Sequence, residues 1–326
     1  MKLCCRYWQQ PLLNNCKLRV LSCEQGRFAC SLGPATRHTM ALRRAFRAGS
    51  FYPADAESCR RQIEECFGTY QSPATPQHVV AGIVPHAGWI FSGPTAAKVF
   101  KNLQDKTTPT TFLIFGAVHV WGMGHHASIF AEGAWETPCG DVAVDEDLAQ
   151  HILAHAAGNV AADESVHARE HSIEVQVPFL HYLFPEARII PVMVNPAQSA
   201  IEVGRVIGQL LHQQEKEVIV LGSTDLTHYG PGFGFTPYGV GFESLAPMKD
   251  HDRQFIELIT TMDPEEVILE AEKHHRACGA GAIAATIAAA RELGATQGYL
   301  LEHTTSQDVM PDRPVSDFVG YAGIIF

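Results

Sequence analysis

The 326-residue sequence lacks the short motifs of several common enzyme classes. It has no His-Glu-x-x-His, Cys-x-x-Cys or Gly-x-Ser-x-Gly segment and no P-loop, so no motif supports zincin, thioredoxin-like, serine hydrolase or Walker-type chemistry. We find no secretory h-region, and the longest uncharged helical run, 277–290, is shorter than the ~20 residues that a membrane span needs. We therefore expect a cytoplasmic protein whose nine cysteines stay reduced.

Basic residues are also few. The chain has 24 Lys and Arg against 35 Asp and Glu, a net charge of −11. This balance argues against nucleic acid and against an acidic membrane surface as partners. A hydrophobic fraction of 46% is typical of a globular protein with a substantial core. Because no internal repeat and no second core is evident, we predict a single domain.

The first 39 residues differ from the rest of the chain. They hold six Lys or Arg, one Glu and five of the nine cysteines, and they show no sustained hydrophobic period. Three interpretations are open: a disordered leader, an organellar transit segment, or an upstream translation artefact with the true start at Met40. We favour the third, because clear patterning begins directly afterwards. The prediction is an unpatterned extension over 1–39 and a domain over 40–326.

Three apolar runs are each followed by a polar side chain that can bind a metal. The runs are Val79–Val84, Phe112–Phe115 and Val218–Leu221, and the side chains that follow them are His86, His119, and Asp225 with His228. Strands that alternate with helical segments predict an α/β domain with a mostly parallel central sheet flanked by helices. In such sheets ligands bind beyond the carboxyl ends of the strands, so we expect these side chains at one edge.

His86 and His119 are the first candidate metal ligands. Neutral imidazole is the commonest metal ligand, and we expect the loops after adjacent parallel strands to bring two of them together. The alternative is that each histidine is a polar loop residue bonded to backbone. The repeated placement favours function.

The Asp225-x-x-His228 pair is a second candidate. It could supply a ligand and a proton shuttle, or an acid/base histidine with its orienting carboxylate. A helix cap beside a solvent-facing histidine fits the spacing equally well. His171 and Glu174, three apart on a predicted helix, either line the site or form an exposed pair.

Cys278 lies near the predicted start of an Ala-rich helix and beside Lys273 and Arg276. Cations and a helix N-terminus lower a thiol pKa, and a thiolate can bind a soft metal or attack a carbonyl. The alternative is a small buried hydrophobic residue, which is how we interpret Cys59 and Cys66.

Several segments, in this order, resemble the Memo family, known in animals as a mediator of receptor-driven cell motility and in prokaryotes as AmmeMemoRadiSam system protein B. They are Ala48-Gly-Ser-Phe-Tyr-Pro-Ala-Asp55, Pro85-His-Ala-Gly-Trp89, Gly116-Ala-Val-His119, His171-Ser-Ile-Glu-Val-Gln-Val-Pro178, Ser223-Thr-Asp-Leu-Thr-His-Tyr-Gly230, Cys278-Gly279 and Val319-Gly-Tyr-Ala322. The resemblance implies a fold like that of class III extradiol dioxygenases, in which two histidines and a glutamate hold Fe(II) and another histidine acts as acid/base. It further implies that His86 and His119 are imidazole ligands, that Cys278 replaces the carboxylate, and that His228 is the acid/base beside Asp225.

These observations lead to three hypotheses of function. The first is a redox-active metalloprotein, a dioxygenase-like oxidoreductase that holds iron or copper in a His/His/Cys site. The second is a binding module whose cleft holds a peptide or small molecule without chemistry. The third is a metal-free nucleophilic enzyme that uses Cys278 and His228. Metal content separates the first from the third, and turnover separates the first from the second.

Overall fold

A computed structural model describes residues 41–74, 76–156 and 158–326, so the predicted extension over 1–39 lies outside the described residues. The strands are β1 (Leu42–Arg43), β2 (Ala81–Val84), β3 (Thr111–Gly116), β4 (Ala127–Ile129), β5 (Ala134–Thr137), β6 (Gly140–Ala143), β7 (Val160–Ala162), β8 (Arg188–Val194), β9 (Val218–Ser223), β10 (His228–Tyr229), β11 (Tyr299–Thr305) and β12 (Phe318–Ile325). The α-helices are α1 (Ala56–Phe67), α2 (Trp89–Lys106), α3 (Glu146–His155), α4 (Val177–Leu183), α5 (Ser199–His212), α6 (Leu245–Thr260), α7 (Pro264–His274), α8 (Ala280–Glu292) and α9 (Ser306–Val309).

The main sheet has the strand order β10-β12-β2-β9-β3-β8-β4-β7, and β11 pairs with β12. Its four central strands, β2, β9, β3 and β8, run parallel. Antiparallel pairs flank them, β12 with β2 on one side and β4 with β8 on the other. The expected mostly parallel sheet is therefore parallel only at its centre and mixed overall. Because β4 runs antiparallel to the central strands, it needs no helical crossover, and it follows β3 through a loop to pair with β8.

The Gly- and His-rich stretch over residues 120–142 contains further strands. β5 and β6 form an antiparallel hairpin, and β1 pairs with β5 in a small second sheet. Each of these strands has only two to four residues. Such a strand is too short to show an alternating pattern in the sequence.

Helix α2 begins at Trp89, five residues before Pro94, although proline is commonest in the first turn of a helix. The Trp89 N–H donates to the carbonyl of Phe51 at 2.8 Å and its indole N–H donates to the carbonyl of Val175 at 3.0 Å, so the first turn is fixed from outside the helix. Pro94 lies inside the helix and cannot donate to the carbonyl of Ile90, four residues earlier.

The Ala-rich helix α8 is buried over the run from Ala280 to Ala290, as the sequence predicts for a core helix. It packs closely against α5, where a Cβ added to Gly204 would lie 2.1 Å from the carbonyl oxygen of Ala285. The absence of a side chain at Gly204 therefore sets the distance between the two helices. None of the helices within the described residues is long and apolar enough to cross a bilayer.

Candidate metal centre

The carboxyl ends of β2 and β3 carry the two predicted histidines to one place. His86 follows β2 after Pro85, and His119 lies three residues beyond Gly116, the last residue of β3. The two strands are not adjacent as expected, because β9 lies between them. The two histidine side chains nevertheless converge above the end of β9, because Ser223, the last residue of that strand, has a small side chain. Their ring centroids are 5.1 Å apart.

His86 is held in one tautomer by its neighbours. Its Nδ1 lies 3.2 Å from the hydroxyl oxygen of Ser223, which donates its own proton to the carbonyl of Ser172 at 2.6 Å. The hydroxyl must therefore accept from His86, so Nδ1 carries the hydrogen and Nε2 keeps its lone pair. The amide of Gln176 also donates to Ser223, at 3.1 Å, and fixes this hydroxyl further.

The segment before α4 brings a third histidine to the pair. A Cβ added to Gly116, at the end of β3, would lie 2.5 Å from Ile173 and 2.7 Å from the Ser172 hydroxyl, so only glycine admits this close approach. His171 consequently stacks on His119 with centroids 4.7 Å apart. One nitrogen of each of His86, His119 and His171 lies within 4.8 Å of the others. This arrangement can hold a metal ion.

Glu170 fixes the orientation of His119, a role that the sequence does not reveal. Its Oε1 lies 2.7 Å from Nδ1 of His119 and 3.5 Å from Nδ1 of His171, and its Oε2 accepts from the N–H and hydroxyl of Ser172. Burial alone would raise the pKa of this carboxyl, but the bond from His119 and the nearby His171 hold the pKa at about 2. The only signal in the sequence is that Glu170 precedes His171.

Two histidines of the cluster, His86 and His171, resist protonation. Burial, followed by the neighbouring His119, lowers the pKa of His86 to about 3. Burial, followed by His86, likewise lowers the pKa of His171 to about 3. Both rings are therefore neutral near pH 7, the form in which imidazole binds metals.

Cys278 reaches the same place from the segment before α8, and its Sγ lies 3.1 Å from Nε2 of His86. The expected lowering of its pKa is wrong for the metal-free protein, because burial and then the charge of Asp225 raise the thiol pKa. The guanidinium of Arg276, a predicted cause of lowering, bonds instead to Glu270, to Gln254 and to the carbonyl of His251. The thiol is therefore protonated until something displaces its proton.

His228 and Asp225 lie near the cluster in different roles. Nδ1 of His228 faces the carbonyl of Leu226 at 3.1 Å, which leaves Nε2 available for proton transfer. Asp225 is buried, its pKa is raised by that burial, and its Oδ1 accepts from the backbone N–H of His86 at 2.7 Å. In the structure Asp225 thus holds the His86 turn. Its predicted role in catalysis, and that of His228, stays a prediction.

The carboxylate of Glu174, predicted to be in the pocket or on an exposed face, is buried among other partners. It accepts from the guanidinium of Arg43 at 2.5 Å, from the Arg47 N–H at 2.6 Å and from the Tyr52 hydroxyl at 2.7 Å. The predicted helix does not reach back to His171, which comes directly before a two-residue turn and a short 3-10 segment. The two side chains therefore do not share a helical face.

Two cavities reach Cys278. One of about 280 Å³ is lined by His228, Phe233 and Phe235, and a second of about 450 Å³ lies towards α7. Both are also lined by His275 and Ala277. A small molecule could therefore approach the thiol between His228 and α7.

Together, the fold and the site define an α/β protein with a histidine cluster, buried at His86 and more open at His119, at the carboxyl edge of a mixed sheet. Residues 43–325 match the family model described as Memo-like protein. A MEMO1 family protein of Methanopyrus kandleri is 40% identical over 86% of this chain and 96% of its own length. One of Thermococcus onnurineus is 36% identical over 86% of this chain and 97% of its own length. The chain belongs to the Memo-like family.

Among solved structures, an uncharacterised protein of Escherichia coli K12 superposes with a TM-score of 0.48 and 12% identity. The superposition covers 76% of this chain and all of that one.

Proposed function

We propose that this protein binds iron or copper through His86, His119 and Cys278, with His171 as a further nitrogen donor. The observation that carries the proposal is the convergence of three imidazole nitrogens within 4.8 Å. The Cys278 thiol, 3.1 Å from Nε2 of His86, adds a sulfur donor, since donors to one ion commonly lie about 3 to 4 Å apart. The raised thiol pKa means that binding would release a proton to solvent or to a nearby base.

The donor set fits a redox-active ion. Imidazole suits both iron and copper, and a thiolate softens the site towards Cu(I) or thiolate-ligated iron. When bound, the ion would supply Lewis acidity and one-electron chemistry towards dioxygen species. The chain's own residues would bind and shield the reactants, and His228 would move a proton at Nε2 in the cavity that it shares with Cys278. We propose on this basis a dioxygenase-like oxidoreductase on a fold like that of class III extradiol dioxygenases.

An anaerobic chelator-competition titration with Fe(II), and separately with Cu(I), tests the site. We expect His86→Ala, His119→Ala and Cys278→Ser each to weaken metal binding by more than about 100-fold. Loss of a residue that only hydrogen-bonds to a ligand typically weakens binding by about 10- to 100-fold. A serine hydroxyl is normally protonated and cannot replace a soft thiolate. Cys66→Ser is the control, since Cys66 is buried on α1 and affects packing alone.

Two results would change the assignment. If Cys278→Ser binds as tightly as the unaltered protein while His171→Ala does not, the site is a three-histidine centre without the thiolate. If none of the variants changes the affinity, the metal lies elsewhere and the proposal fails.

The second candidate is a binding module that performs no chemistry. It is favoured by the 280 Å³ cavity, where the ring edge of His228 meets Phe233 with centroids 5.0 Å apart and which a small molecule or a peptide side chain could fill. Oxidant consumption by the metal-loaded protein separates the two, because a binding module would bind ligand without consuming dioxygen or peroxide.

A further inference from the structure

Glu170 is a buried carboxylate that faces His119 and His171 of the histidine cluster. Its side chain is 2% exposed, and its Oε1 stands 2.7 Å from Nδ1 of His119 and 3.5 Å from Nδ1 of His171. Its Oε2 accepts from the Ser172 hydroxyl at 2.5 Å and from the Ser172 N–H at 2.9 Å. The partners of this carboxylate are thus two histidines of the cluster and Ser172, the residue that follows His171.

No lysine or arginine within the described residues pairs with this carboxylate. Glu174, four residues later and equally buried, forms an ion pair with Arg43. Arg43 does reach Glu170, but it donates to the backbone carbonyl at 2.6 Å. A buried carboxylate without a cationic partner is costly. A cation on the far side of His119 and His171 would supply the missing charge.

We infer that Glu170 is a positioning residue for the metal, a role that rests on the proposed function. By accepting from Nδ1 of His119 it holds the hydrogen on that nitrogen and leaves Nε2 to bind the ion. Its negative charge also balances the charge of the ion through the two imidazoles. Carboxylate partners of ligand histidines act in this way in metal proteins, and their loss typically weakens binding about 10- to 100-fold.

Two variants separate orientation from charge. Glu170→Gln keeps an acceptor oxygen for His119 but loses the charge, whereas Glu170→Leu loses both. In the metal-free protein, histidine-selective ¹⁵N NMR reports which ring nitrogen of His119 carries the hydrogen. We expect the Nδ1–H form in the unaltered protein and in Glu170→Gln, and its loss in Glu170→Leu. Fe(II) affinity should fall about 10-fold in Glu170→Gln and about 100-fold in Glu170→Leu.

Asp145→Asn is the matched control, because Asp145 is also buried but pairs with Lys216 and with Thr111, the first residue of β3. It lies at the opposite, amino edge of the sheet, so its loss should change neither the tautomer nor the affinity.

An unchanged His119 tautomer and an unchanged Fe(II) affinity in Glu170→Leu would overturn the inference and leave the proposed function standing. An equal loss of affinity in both variants, with the tautomer unchanged, would overturn the positioning role. If the unaltered protein binds no Fe(II), the proposed function fails, and the role of Glu170 towards a metal fails with it. The NMR result would still report whether Glu170 fixes the ring.

Discussion

Removing the guanidinium of Arg43 should destabilise the fold at the segment that carries the histidine cluster. Arg43 is buried, donates to Glu174 at 2.5 Å and to the carbonyls of Glu170 and His167 at 2.6 and 3.2 Å, and lies 4.5 Å over the Trp135 ring. Arg43→Ala therefore leaves a buried carboxylate without its ion-pair partner and removes a donor from two backbone carbonyls.

The magnitude follows from this arrangement. Removing one partner of a buried ion pair costs about 3–5 kcal/mol, since the remaining charge stays desolvated. For a domain of this size each kcal/mol lowers the melting temperature by about 2–4 °C, so we expect a fall of roughly 10 °C. Urea and thermal unfolding followed by circular dichroism measure both quantities.

Arg205→Ala is the matched control, because Arg205 pairs with Glu202 on an exposed face of α5. Exposed pairs contribute about 0–1 kcal/mol, so the loss there should be small. A double variant, Arg43→Ala with Glu174→Gln, should be no less stable than Arg43→Ala alone, because it removes the stranded charge and keeps an oxygen that accepts from Arg47 and Tyr52. If Arg43→Ala costs no more than Arg205→Ala, the buried pair does not stabilise this segment and the reasoning is wrong.

Two further predictions concern single histidines. His228→Ala should leave metal stoichiometry intact while it slows any metal-dependent turnover, because we assign His228 proton transfer; a variant that purifies without metal would make it a ligand. Burial lowers the pKa of His167 to about 4, and its Nδ1 is buried and finds no hydrogen-bond partner among the residues that the structure describes. The unfolded state, with a pKa near 6.5, therefore binds more protons between about pH 6.5 and pH 4, so stability is lost as the pH falls through this window, by up to about 3 kcal/mol. In His167→Gln the slope of unfolding free energy against pH should become shallower there, and an unchanged slope would contradict the assignment.

The central strands could be predicted from the sequence because burial on both faces makes them continuous apolar runs. Strand β8 lies at Arg188–Val194, as its run of apolar residues predicts, and polar residues mark where β2 and β3 end. The short strands β4 and β7 could not be predicted, because three residues carry no readable period.

The candidate site was predictable to a similar degree. His86 and His119 stand out because each follows an apolar strand, and the structure brings them together. The contribution of Glu170 depends on how the segment before α4 turns towards Gly116, which no local pattern encodes. The charge state of Cys278 depends on burial and on Asp225, which lies far away in the sequence. Both are tertiary effects.

Metal analysis of the full chain tests the central claim most directly. The protein would be produced with iron and copper available, purified without oxygen or chelator, and measured by elemental mass spectrometry beside a double variant, His86→Ala with His119→Ala. We predict about one iron or copper ion per chain in the unaltered protein and none in the double variant. Equal metal content in the two proteins, or no iron or copper in either, would contradict the account.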